Sequence, residues 1–344
     1  DTSGFDEKNA KLDLYDSSQP EAALLEEKAL AAEAAGLEVS GISKSLGSGM
    51  GYSSSGFVLA TSHGFVGSFL RSGYSLSASL VAGEGTGMER DYDYDSKTHL
   101  SDLSSPESIG KSAAERTVKR LNPQKVSSGS FPIVMDRRIT AGILGTLSSA
   151  INANSIVRKT SFLRDQMGKA ITSSAINIID DPHMLRKAGS KLFDGEGLAT
   201  DKLELVKDGV LQTWLLDSAS ARELELESNA RASRSGSGTA PSTTNCYMQP
   251  GEQSAEDMIS SIKSGLYLTE TIGHGINMVT GDYSKGASGY WIENGEIAYP
   301  VAEITIAGNL KDMFLNMTPA NDLEFKYGTN APTLLVEGMT IGGK

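Results

Sequence analysis

The side chains best able to ligate a metal or attack a carbonyl are few: His63, His99, His183, His274 and the single Cys246. No two histidines lie within six residues of each other, so no paired-histidine zinc helix exists. A zinc site takes three or four ligands, which here would have to come from distant segments. His63 sits in a His-Gly turn and His99 beside Thr98, and both read as exposed. His274 lies between Gly273 and Gly275, a pattern for tight backbone packing or for contact with a peptide or partner. Cys246 could act as a nucleophile only with a histidine beside it in space. An unreactive, partly buried thiol is the plainer reading. It follows the Ser/Gly/Thr-rich stretch Arg231 to Thr244, which reads as a mobile loop. Asn245, Cys246, Tyr247, Gly273 and His274 are therefore the candidates for peptide or partner contact.

Other signals are weaker. No serine nucleophile elbow is present, and the Ser-x-x-Lys spacings at Ser108/Lys111 and Ser260/Lys263 have no supporting second motif. Gly47, Gly49 and Gly51, like Gly83, Gly85 and Gly87, lack the Lys-Ser/Thr ending of a phosphate loop and read as turns. The acid runs Asp91 to Asp95 and Asp180-Asp181 could attract calcium. They lack the spaced oxygen ligands of a calcium loop, and the first reads as a charged strand end.

The segment that must organise these residues runs from Phe131 to Ser155. Phe131, Ile133 and Met135 alternate with Pro132, Val134 and Asp136, a strand apolar on both faces. After Arg138 the period becomes helical, and Ile139, Ile143, Leu144, Leu147, Ala150 and Ile151 form one buried stripe of a central helix over 139–153. Its other face offers Thr140, Thr146, Ser148, Ser149 and Asn152, without His, Glu or Cys.

Before it, Ser17 to Gly36 reads as a helix capped by Ser18. Short strands follow at Val39–Lys44, Ser55–Ser62, Phe65–Tyr74, Ser75–Ala82 and Glu89–Tyr94, an antiparallel meander. A second helix starts at Ser105-Pro106 and stops at Asn122-Pro123. After the central helix, Asp208-Gly209 and Asn294-Gly295 mark hairpins, and Ser254 with Asp257 starts a short helix. The expectation is an α+β protein rich in antiparallel sheet, with domains over 1–125 and 126–344.

A formal net charge of −12 argues against a nucleic-acid or anionic-membrane binder. One cysteine excludes an internal disulfide and fits the cytoplasm. No apolar run is long enough to span a membrane. Asp1 is not a natural start, so a trimmed chain is expected.

Four stretches together resemble the TldD/TldE (PmbA) family, on the TldE/PmbA side. They are DDPHMLRKAGSKLFDGEG (Asp180 to Gly197), DSASARELELESNARASR (Asp217 to Arg234), GASGYWIENGEIAYPVAEITIAGNL (Gly286 to Leu310) and the ending PTLLVEGMTIGGK. Members usually carry a further N-terminal segment. The resemblance implies a heterodimeric metallopeptidase in which TldD-type chains place His-Glu-x-x-x-His on the central helix and add a cysteine near the C-terminus, together binding zinc. Laid on that motif, this chain has Gly145, Thr146 and Ala150, and LEFKYGTN (Leu323 to Asn330) where the cysteine would fall. None of the three can serve as zinc ligand or general base. Histidines five residues apart also diverge by about 140° on a regular helix, so such a site needs a locally adapted helix.

The resemblance thus implies a zinc-free subunit of a peptidase complex. It would have no cofactor of its own, a zinc-bearing TldD-like partner, an unfolded peptide as substrate and homodimers when alone. The family's link to DNA gyrase offers an alternative, a protein-binding modulator. A stand-alone hydrolase using Cys246 is a third reading.

Overall fold

The computed structural model describes residues 11–344. These fall into two units, one holding the chain up to Pro123 together with Met184–Ser190, the other Gln124–His183 and Lys191–Lys344.

In the first unit, helix α1 (Ala22–Leu37) precedes strands β1 (Ile42–Ala60), β2 (Val66–Ala82) and β3 (Glu89–Lys97), and helix α2 (Pro106–Lys119) follows. The strands form an antiparallel meander in the order β1-β2-β3. Alternate residues of β2, Leu76, Ala78 and Leu80, meet Ala32 of α1 and Ile109, Ala113 and Ala114 of α2 in one core. The two helices cross closely because Gly110 has no side chain: a Cβ there would lie 2.0 Å from the Ala32 carbonyl oxygen. Ser105 caps α2, accepting a hydrogen bond from Ser108 N at 3.2 Å.

Several local expectations change. Helix α1 begins at Ala22 and has no side-chain cap, so Ser18 does not start it. The four short strands before β3 are two long ones. Gly49 and Gly51 lie in pleated strand rather than in a turn, and the irregularities are register shifts between Ile42 and Lys44 and between Ser45 and Gly47, where Gly47 takes φ +122. Asp91, Asp93 and Asp95 are buried on one face of β3 rather than forming a charged strand end. Arg120, just past the end of α2, and Arg116 within it face the first two, at 3.5 and 3.8 Å. Lys97 and Ser104 hold Asp95 at 3.0 and 2.8 Å. His99 is also buried, with Nε2 2.8 Å from the Asp13 carbonyl, because the segment around Asp13 covers it.

The second unit contains β4 (Gly129–Met135), α3 (Arg137–Ala150), α4 (Ala153–Val157), β5 (Ile178–Asp180), β6 (Leu203–Lys207), β7 (Val210–Leu211) and α5 (Ser218–Glu223). These are followed by β8 (Ala232–Ser235), β9 (Gly238–Pro241), β10 (Cys246–Met248), α6 (Ala255–Ser260), β11 (Ser264–Ile272), β12 (Asp282–Glu293) and β13 (Glu296–Asn309). The last elements are α7 (Leu310–Leu315), β14 (Met317–Pro319), β15 (Thr329–Asn330) and β16 (Leu334–Gly342). A six-stranded sheet runs β13-β12-β11-β4-β16-β14, and β13 also pairs with β16, so five strands form a closed ring of ladders. Only β4–β11 is parallel in it. A second sheet runs β15-β10-β5-β6-β7.

Strand β4 is buried on both faces at Ile133, Val134 and Met135, and Ile143, Leu144, Leu147 and Ala150 of α3 share a core with it. Both hairpin signals are realised. Asp208 (φ 47) with Gly209 (φ 79), and Asn294 (φ 51) with Gly295 (φ 85), adopt the left-handed turns that link β6 to β7 and β12 to β13. The architecture is α+β with mostly antiparallel sheet. Among the described residues no helix is long and apolar enough to cross a membrane.

Candidate functional site

Helix α3 is fixed at its start by Asp136. The carboxylate accepts from Arg138 N at 2.9 Å and from the Tyr267 hydroxyl at 2.8 Å, while Asp136 N donates to Leu268 O of β11 at 2.9 Å. Burial, then the charge of Asp136 and its hydrogen bond, push the Tyr267 phenol well above its usual value. This clamp sets which residues the helix turns outward. Gly142 and Gly145 face open space. The hydroxyls of Thr146, Ser148 and Ser149 turn back on carbonyls four residues earlier, those of Gly142, Leu144 and Gly145, at 2.9, 3.0 and 2.9 Å. Thr140 belongs to the core instead, fully buried with Oγ1 3.0 Å from Arg137 O and 3.4 Å from the distant Ala331 O. Asn152 lies beyond the helix and donates to Pro241 O at 2.7 Å.

The three positions read as a lost zinc motif do not share one environment. Gly145 and Thr146 are half-exposed, whereas Ala150 is 0% exposed in the core. Strand β15, inside Leu323 to Asn330, packs against α3. It is shaped by Asn330, whose side chain accepts from Lys326 N and Tyr327 N and donates to Tyr327 O at 3.0, 2.8 and 2.8 Å. Arg137 ties the helix start to Asp322 and Glu324 at 3.6 and 2.7 Å. A glycine, an alanine and a threonine whose hydroxyl already serves a backbone carbonyl offer zinc no nitrogen, thiolate or carboxylate. Zinc does not fit these residues. Among the described residues no three of His, Cys, Asp and Glu converge as a metal site.

The contact candidates separate into two places. Cys246 and Tyr247 are in β10, paired with Thr329 and Asn330 of β15. Asn245, just before them, is buried and donates from Nδ2 to Asp181 O at 2.7 Å. Cys246 is fully buried, its Sγ 3.9 Å from Ser148 Oγ. Burial first, and then the charge of Asp180, push its thiol far above the usual range. These two residues are shaped for packing, and surface contact falls to the half-buried Tyr247, whose ring meets Phe325 edge-on at 5.1 Å. Gly273 (φ +96) and His274 are exposed in the β11–β12 connection. The tight approach there is made by Gly275, where a Cβ would lie 1.6 Å from Ser284 O.

What the sequence reading missed is a buried polar knot behind Cys246. Arg231 and Asp180 are both 0% exposed at their side chains and bond at 2.5 Å. Arg231 also donates to the carbonyls of Asn229, Ala230 and Asp201 at 3.0, 3.2 and 2.5 Å. Thr244 N and Oγ1 complete Asp180 at 2.7 and 2.9 Å. Asp194 binds Glu196 N, Leu198 N and Ala232 N. Arg231 to Thr244 is thus no mobile loop but the β8–β9 hairpin anchored at both ends, and Asp180 is committed to Arg231 rather than to calcium. The available signal was one arginine set among small residues in SNARAS.

These features define a two-unit α+β protein whose principal helix carries no metal ligand. Residues 128–343 match the PmbA/TldA metallopeptidase C-terminal domain, and residues 15–121 the central domain. The chain belongs to the PmbA/TldA metallopeptidase family. Metalloprotease PmbA of Escherichia coli O157:H7 is 41% identical over 288 residues, covering 83% of this chain and 62% of its own length. The Haemophilus influenzae homologue is 38% identical over 335 residues, covering 96% and 72%. The chain therefore spans only 62% of the E. coli relative. A candidate modulator of DNA gyrase from Bacteroides thetaiotaomicron superposes with a TM-score of 0.89 at 29% identity, over 97% of this chain and 75% of that one. TldE from Thermococcus kodakarensis shares the fold, with a TM-score of 0.83 at 22% identity over 94% and 75%.

Proposed function

We propose that this chain is the zinc-free subunit of a TldD/TldE-type metallopeptidase complex, acting in the cytoplasm on unfolded peptides. A TldD-like subunit would supply the zinc, its ligands and the general base. The observation that carries this reading is helix α3, where Gly145, Thr146 and Ala150 stand at the motif positions and Ala150 is sealed in the core. Membership of a metallopeptidase family supports a role connected with peptide cleavage. The high thiol pKa of buried Cys246 argues against a cysteine hydrolase. Within such a complex this chain contributes walls and contacts, and Tyr247, Gly273 and His274 are the accessible candidates for touching peptide or partner.

A second reading, a protein-binding modulator of DNA gyrase, is favoured by two structural neighbours described as candidate modulators of that enzyme. One experiment separates the two. The chain is co-expressed with a TldD-like subunit, purified, assayed for zinc and challenged with casein or an unstructured peptide, with and without chelator. Chelator-sensitive cleavage only in the stoichiometric complex supports the first reading. Near-equimolar zinc and cleavage in the chain alone overturn it. Retention of gyrase without any peptidase subunit favours the second.

A further inference from the structure

Over residues 139–179 the charged side chains are Arg158, Lys159, Arg164 and Lys169 against the single acid Asp165, in a chain whose net charge is −12. All four cations are exposed. The segment that carries them is pinned from beneath. Ser161 Oγ donates to Ala150 O at 2.6 Å, and Phe162 and Leu163 enter the core, so the cations stand on either side of a buried triplet. Asp165 gives its carboxylate to Arg164 at 3.1 Å, whereas Lys169 reaches only the Asp165 carbonyl, at 2.8 Å. Among the described residues neither Arg158 nor Lys159 meets a carboxylate. Lys159 closes α4 at φ 59, with its N–H on Ile156 O at 3.0 Å, so a charged side chain occupies a position whose backbone favours glycine. Phe162 N donates to Met278 O at 2.8 Å, which sets this segment against the β11–β12 connection that holds Gly273 and His274. Met167 and Val279, one from each segment, are 38% and 54% exposed.

We propose that the surface formed by residues 158–169 and the β11–β12 connection binds an acidic stretch of an extended peptide. Its carboxylates meet Arg158, Lys159 and Lys169, and its apolar side chains meet Met167 and Val279. This names a substrate class for the peptide-handling role proposed above and rests on that reading. Charge selects the occupant. A basic peptide is drawn to the acidic remainder of the chain, and a neutral one is drawn nowhere in particular. An acidic one is repelled by that remainder and attracted here. Screening limits the attraction to about a Debye length, roughly 8 Å at physiological salt, so a short run of Asp or Glu lies within its reach. A nucleic acid, carrying a charge about every 1.7 Å of helix axis, runs out from this patch over the acidic surface. Asp282, the acid at the end of the same connection, is already bound by Thr280 Oγ1 at 2.6 Å and Asn309 Nδ2 at 3.1 Å.

The test uses the full chain and fluorescence anisotropy. The probes are three labelled peptides of equal length, built of Gly, Ser and Leu and carrying Glu, Gln or Lys at the same positions, and a single-stranded oligothymidine of matched length. The Glu peptide is expected to bind about tenfold more tightly than the Gln peptide, the difference fading above roughly 0.5 M salt. Arg158→Glu with Lys159→Glu is expected to abolish the preference at an unchanged circular dichroism spectrum. Lys263→Glu, exposed at the opposite end of β11 from the connection, is expected to keep it. A Glu peptide that binds no tighter than the Gln peptide, a preference that survives the charge reversal, or oligothymidine bound more tightly than the Glu peptide would each overturn the proposal. Should the reversed variant not fold, Arg158→Ala and the salt dependence of the unmodified chain decide the matter. None of these readouts requires cleavage, so the peptidase reading stands or falls separately, on the zinc and chelator assay.

Discussion

Arg231 meets Asp180 in a fully buried ion pair, Nε to Oδ2 at 2.5 Å, and every other contact of either side chain is to nearby backbone or to Thr244. The pair joins β5 to the start of the β8–β9 hairpin, so it ties together two of the stretches on which the family resemblance was read. Removing one partner leaves an uncompensated charge in the core. Arg231→Met is expected to cost about 3–5 kcal/mol, read as a lower urea midpoint at unchanged slope. Replacing Asp180 by Leu as well is expected to recover much of that loss. A single variant within experimental error of the parent would show that the pair does not anchor the hairpin.

Cys246 gives a chemical test of the same region. Its thiol is held protonated by burial and by the field of Asp180, so at neutral pH a thiol reagent should not modify the folded chain. One equivalent should react in denaturant. Rapid labelling under native conditions would mean that β10 opens or that the thiol is activated, and would revive the cysteine-hydrolase reading.

The legible and illegible parts of the sequence divide along a physical line. Strand β4 and helix α3 were readable because burial repeats with the period of the element, and the Asp208-Gly209 and Asn294-Gly295 turns because few residues take positive φ. Arg231 to Thr244 was misread because composition reports only that a segment is polar and small. Whether Arg231 is solvated or locked onto Asp180 depends on a residue about fifty positions away. Thr140 and His99 failed for the same reason. A polar side chain is buried when a distant carbonyl receives it, and periodicity carries no trace of that partner. Glycine misled in the opposite sense, since Gly49 and Gly51 lie within an extended strand. The candidate site was legible as a deficit, in Gly145, Thr146 and Ala150, but not as a place.

Acid stability should be set largely in the first unit. Burial works to raise the Asp16 carboxyl, but hydrogen bonds from Ser18 and from Leu100 N outweigh it and bring the pKa down to about 2. Asp95 also lies below its ordinary value, burial being outweighed by Ser104 and Lys97. A carboxylate depressed in the folded state binds protons more tightly when unfolded. Its contribution is therefore complete above about pH 4 and is lost as the pH falls toward 2. Asp16→Asn combined with Asp95→Asn should flatten the dependence of unfolding free energy on pH across that window. A double variant with the parent's acid slope would place acid sensitivity elsewhere.

Helix α3 offers the sharpest separation of a lost motif from a closed one. A Cβ at Gly145 meets nothing within 4 Å, and the position is an ordinary helical one, so Gly145→Ala should stabilise the chain by about 0.5–1 kcal/mol. Ala150 is completely enclosed among Leu147, Ile151 and their neighbours, and Ala150→His must displace packed side chains at a cost of about 1–3 kcal/mol or more. Rebuilding the motif with Gly145→His, Thr146→Glu and Ala150→His should therefore give a destabilised chain that binds zinc no more tightly than the parent. The core has filled the third position, and the cysteine that would complete the site has no counterpart in Leu323 to Asn330. Thermal melts of each single variant and zinc titration of the triple one provide the readout. Tight, stoichiometric zinc binding without loss of stability would show that the helix face is still open to a metal and that the packing around Ala150 yields readily.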